Sequence, residues 1–61
     1  MINAEASVTA ERLRCLVDAR QAIEDEIRAE TRAMRTDGAT WTVIGEALGV
    51  TRSAAQQRYS D

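Results

Sequence analysis

The sequence predicts an all-α chain: one long helix, then two short helices joined by a tight turn. Three observations predict this. The chain has no Pro, and residues 8–37 lack Gly while Ala, Glu and Arg abound, a composition that favours helix nearly throughout. Gly38 and Gly49 stand where helices of suitable length would end, and glycine is the residue that most easily adopts the left-handed conformation needed there. Thr40 and Thr51 each precede about eight residues of helical pattern, and threonine is a good helix N-cap.

Totals restrict the rest. A chain of 61 residues buries only about 60% of the surface it exposes when unfolded, so it needs a staple. Cys15 is the sole cysteine and there is no His; an internal disulfide and a four-ligand zinc site from one chain are both excluded. Association with a second copy is the staple that remains. No apolar run approaches the roughly 18 residues of a membrane span, and Met1–Ser7 shows neither the basic start nor the apolar core of a signal peptide. The expected compartment is a reducing cytoplasm. No cofactor, metal or small-molecule substrate is implied.

Residues 1–7 read as a frayed N-terminus. Ser7 or Thr9 is placed to cap the long helix, with Glu11 in its first turn where the helix dipole favours an acid. The long helix then spans residues 8–37. Its apolar positions Leu13, Leu16, Val17, Ile23, Ile27 and Met34 recur at helical spacing, as a heptad seam interrupted by Arg20 and Glu30. Ile27 and Met34 are expected to pack on the short helices. The remaining chain is too short to cover a helix this long, so Leu13, Leu16, Arg20, Ile23 and Ile27 are assigned to a homodimer contact. In an antiparallel pairing centred near residue 25, Arg20 of one chain approaches Glu30 of the other. The alternative is that both side chains snorkel at the edge of an imperfect seam. Cys15 reads as a small, half-buried apolar residue.

Segment 38–61 carries the function. Trp41–Leu48 forms the second helix and residues 52–60 the third, joined by Leu48-Gly49-Val50-Thr51. Gly45, Leu48, Gly49, Val50, Thr51-Arg52 and Tyr59 are spaced as in a helix-turn-helix. The stretch from Gly38 to Tyr59 resembles the helix-turn-helix of homeodomain-like and sigma-factor region-four-like proteins, and segments like it recur in small actinobacterial and actinophage regulators. The resemblance covers about a third of the chain and implies a transcriptional regulator that binds double-stranded DNA. Two positions depart from the pattern. Val43 stands where an acid often completes a capping box, and Ala55 stands where a larger aliphatic residue is common. Ile44, Leu48, Val50, Ala55 and Tyr59 are expected to close a small core with Trp41 and Met34.

On the third helix, Ala55 and Tyr59 fall on one side and Ser53, Gln56, Gln57 and Ser60 on the other. A helix in the major groove offers such an outward face to base edges, and Gln suits adenine because its amide donates and accepts together. A merely solvated polar face is the plainer account. Arg52 sits in the first helical turn, where the dipole disfavours a cation by roughly 0.3–1 kcal/mol; contact with a guanine or phosphate gives it a reason to be there. Arg58 suits either a phosphate contact or its favourable place near the helix C-terminus. Thr40, Thr42 and Thr51 lie at helix starts, where hydroxyls and backbone amides are ready phosphate partners, although capping alone explains Thr40 and Thr51. Arg32 and Arg35 lie close to the motif and read mainly as solvated.

Charge opposes a simple DNA reading. Residues 1–40 hold eight acids and six arginines, and residues 41–61 two of each, for a net charge of −2. Phosphate attraction drives DNA affinity, so binding must depend on local arginine placement and on pairing of two copies. The rival class is a protein-interaction module, such as an antirepressor or a polymerase-binding factor, using the same fold. No nucleophile lies beside a base, and no glycine loop suits a phosphate; an enzyme is not expected. The run Glu24-Asp25-Glu26 fans out around the helix and cannot converge on one ion.

Overall fold

The computed structural model describes residues 4–60, and these form three α-helices with no strand among them: α1 (Ala4–Thr36), α2 (Trp41–Leu48) and α3 (Arg52–Tyr59). The all-α class and the long first helix agree with the sequence. The start of α1 differs. Ser7 and Thr9 lie inside the helix instead of capping it, because Ala4, Glu5 and Ala6 include strong helix formers and nothing upstream of Ser7 breaks the pattern. Residues 1–3 of the expected frayed segment lie outside the described residues.

The first two helices end in the same way. The Ala39 amide donates to the Met34 carbonyl at 2.9 Å and the Gly38 amide to Arg35 at 3.0 Å. At the end of α2, the Val50 amide donates to Gly45 at 2.9 Å and the Gly49 amide to Glu46 at 3.2 Å. Each pair satisfies carbonyls that a helix end otherwise leaves open, and each requires a left-handed residue, supplied by Gly38 at φ 95° and Gly49 at φ 75°. Starts are equally defined. The Val43 amide donates to Thr40 Oγ1 at 3.3 Å, and the Ala54 amide to Thr51 Oγ1 at 3.1 Å. Thr40 and Thr51 are therefore both N-caps. The cap at Thr40 forms although Val43, half exposed, offers no acid in return.

The molecule measures 55 × 19 × 18 Å, because α1 alone is about 50 Å long at 1.5 Å per residue. Helices α2 and α3 pack chiefly on each other and meet α1 from Glu24 onward. The core there is small. Ile44 is 1% exposed, Ala55 0% and Thr31 4%, while Ile27, Met34, Trp41, Leu48, Val50 and Tyr59 are half-buried around them.

Ala55 has no room for the larger residue common elsewhere, since a side chain with no exposure has no free volume to grow into. Gly45 is constrained similarly: a Cβ there would lie 2.9 Å from the Val50 carbonyl oxygen and 3.1 Å from backbone atoms of Thr51. The close neighbour of Gly45 is thus the turn backbone that leads into α3. Beyond this core α1 is bare, with Leu13 61%, Leu16 57% and Ile23 58% exposed.

Candidate nucleic-acid interface

Helix α3 is held from behind and open in front. Its rear face carries Ala55, buried, and Tyr59, half-buried. The Tyr59 hydroxyl donates to Glu24 Oε1 of α1 at 2.8 Å, and the Arg28 guanidinium lies over the Tyr59 ring, 5.2 Å from its centroid. Arg28 Nη1 also donates to the Arg58 carbonyl at 3.3 Å, a favourable place for a cation because the last carbonyls of a helix carry its negative dipole end. The bond to Glu24 raises the Tyr59 pKa above its ordinary value, desolvation and the Glu24 charge add to the rise, and Arg58 opposes it. One aromatic side chain thereby joins the last turn of α3 to the middle of α1.

The front face presents Ser53, Gln56, Gln57 and Ser60, all exposed and lining one shallow groove. Gln57 also borders a second depression with Ala54 and Arg58. Gln56 and Ser60 border a third, whose far wall is Arg32, Arg35 and Trp41. Arg52 is exposed in the first turn of α3, and Thr51 and Thr40 are exposed caps, with Thr42 exposed in the first turn of α2. Ser53, Gln56, Gln57 and Ser60 thus share one open surface, and Arg58 adjoins it through Gln57. Thr40 and Thr42 stand on the other short helix, beside Trp41, which reaches the Gln56 groove.

Several features were not drawn from the sequence. Arg35 is anchored, not merely solvated: its guanidinium lies 4.8 Å from the Trp41 ring centroid, and Nη1 donates to the Ala39 carbonyl at 2.9 Å. Trp41 is half-buried beneath it. The available signal was spacing, since Arg35 is six residues before Trp41 across a turn that folds back. Thr31 and the Glu24–Tyr59 bond were also missed. A phenol at a helix end needs a partner, but no local rule points 35 positions away. Cys15, expected to be half-buried, is exposed in the single chain, because no element of this chain reaches that part of α1.

Charge around α3 is mixed. Between residues 28 and 60 the arginines are Arg28, Arg32, Arg35, Arg52 and Arg58, against the acids Glu30, Asp37 and Glu46. The acidic excess comes from Glu24, Asp25 and Glu26, just before this stretch, and Glu24 is itself bonded to Tyr59 of α3; residues 4–23 balance, with three acids and three arginines. Counted from Glu24 to Ser60, the end of the molecule that holds α3 has five arginines and six acids, so α3 is met by individual arginines and not by a net positive field. Among the described residues, no group of three or more His, Cys, Asp or Glu side chains is gathered to hold a metal ion. No helix of the described residues is long and apolar enough to cross a membrane.

No family model, no curated protein and no solved structure matches this chain. Its class on present grounds is that of a small all-helical protein with a long first helix.

Proposed function

We propose that α2, the Gly49 turn and α3 form a helix-turn-helix, and that the chain is a non-enzymatic, cytoplasmic transcriptional regulator acting as a homodimer joined through α1. In this reading α3 enters the major groove of double-stranded DNA. Ser53, Gln56 and Gln57 meet base edges, while Arg52, Arg58 and the threonines at the helix starts contact phosphate. A homodimer sets two copies of α3 in successive major grooves, with half-sites about 34 Å apart and two-fold symmetric.

The observation that carries the reading is the division of α3. Ala55 and Tyr59 hold the helix from one side, so the two glutamines and two serines stand together on the open side, with arginines about them. An electrophoretic shift against random genomic fragments at two salt concentrations tests it. Discrete fragments should be retained at the higher salt, because base contacts outlast counterion-driven binding. Loss of all binding at both salts would remove the reading. The rival, a protein-interaction module, is favoured by one specific observation, the chain's net charge of −2; it calls for no retained fragment.

A further inference from the structure

We infer that the partner copy lies antiparallel along α1, centred near residue 25, with its Leu16–Ile23 segment seated in the groove between α1 and α2. This rests on the homodimer proposed above and adds an orientation, a register and a role for α2.

The seam is set by what this chain leaves uncovered. Successive helical residues turn by about 100°, so Leu16, Ile23, Ile27, Glu30 and Met34 fall within roughly 60° of arc, with Arg20 at its edge. Thr31, buried at 4%, and Glu24, bonded to Tyr59, lie on the neighbouring arc that α2 and α3 occupy. The arc of Leu16 and Ile23 is open, both residues being more than half exposed. Toward the C-terminal end of α1 it runs into a groove of about 170 Å³ walled by Ile27, Met34, Ile44, Ala47 and Leu48, with Glu30 at the rim. The groove is almost wholly apolar, so it suits an aliphatic occupant.

A second copy supplies that occupant in one orientation. Residues equidistant from position 25 face each other in an antiparallel pair. Ile23 then meets Ile27, Leu16 meets Met34, and Arg20 meets Glu30 at the groove rim. Three matches, two apolar and one of opposite charge, arise from a single register, and two-fold symmetry makes each occur twice. A parallel pair in register sets Arg20 against Arg20 and Glu30 against Glu30, juxtapositions that repel. Length agrees. The outer apolar pairs are about 27 Å apart at 1.5 Å per residue, and the edges of α2 add to the contact. That extent moves the contact toward the roughly 800 Å² per partner of a stable interface. Cys15 lies roughly a quarter turn from this seam and takes no part in it.

The test is sedimentation equilibrium of the full chain without DNA, with helicity by circular dichroism confirming that each variant folds. The chain should dimerise. Ile23→Asp and Arg20→Glu should each raise the dimer dissociation constant roughly tenfold or more, and the double variant Arg20→Glu with Glu30→Arg should return it to near the starting value. A monomer at every concentration overturns the inference together with the homodimer. A dimer indifferent to Ile23→Asp, or a double variant as weak as Arg20→Glu alone, overturns the seam while leaving self-association standing. Retention of genomic DNA fragments is scored separately, so a chain that pairs in this register yet ignores DNA loses only the regulatory reading.

Discussion

The hydroxyl of Tyr59, in the last turn of α3, donates a 2.8 Å hydrogen bond to a carboxylate oxygen of Glu24, 35 residues earlier on α1. Few contacts join α1 to α3, so this bond and the Arg28 guanidinium over the same ring fix how α3 is tilted. Tyr59→Phe keeps the ring and removes the bond. It should lower stability by about 0.5–1.5 kcal/mol, and the melting temperature should fall by about 4–8 °C for each kcal/mol in a domain of this size.

Stability should also respond to alkali. Folding raises the Tyr59 pKa, so the folded chain holds the phenolic proton more tightly than the unfolded chain does. That contribution is complete below the ordinary tyrosine value of about 10 and is lost as pH climbs through the raised value. Thermal melts at pH 8, 10 and 11, read by circular dichroism, should show a fall above pH 10 that is smaller in Tyr59→Phe. Equal alkaline losses in both proteins would mean the bond does not couple to folding.

Two glycines should be intolerant for different reasons. At Gly45 an added methyl meets Val50 and Thr51 backbone atoms at 2.9–3.1 Å, and backbone cannot rotate away as a side chain can. Gly45→Ala should cost about 1–3 kcal/mol by overpacking. Gly49 has open space around its Cβ position but stands at φ 75°, so Gly49→Ala should cost about 1–2 kcal/mol from conformation alone. Gly49→Asn should recover part of that loss, since Asn tolerates the left-handed region, whereas Gly45→Asn should be worse than Gly45→Ala. Urea unfolding of the four variants separates the two mechanisms.

If α3 reads bases, the front-face substitutions should divide. Gln56→Ala or Gln57→Ala should reduce discrimination at one base position by about 1–3 kcal/mol, with little effect on stability because both side chains are exposed. Arg52→Ala should weaken binding to all sequences and flatten the salt dependence by about one unit of slope if its partner is a phosphate. Arg35→Ala should act in the same direction, having removed a guanidinium held against Trp41 beside Gln56. Fluorescence anisotropy with selected and scrambled duplexes distinguishes the outcomes, and unchanged ratios for both glutamine variants would remove α3 from base recognition.

The local sequence determined where helices stop and start. Gly38 and Gly49 end α1 and α2, Thr40 and Thr51 begin α2 and α3, and the apolar spacing put Ile44 and Ala55 inside and Gln56 and Gln57 outside. Caps and left-handed turns work within a few residues, so they can be read from neighbours along the chain. Only the tertiary structure decided which side of α1 the short helices cover, that Thr31 is buried, that Arg35 rests on Trp41, and that Glu24 accepts the Tyr59 hydrogen bond. Those contacts depend on the angle at which the α2 and α3 pair folds back on α1. That angle is held by Tyr59 against Glu24 and Arg28, where side chains distant in the sequence must meet, and no local pattern encodes such a meeting.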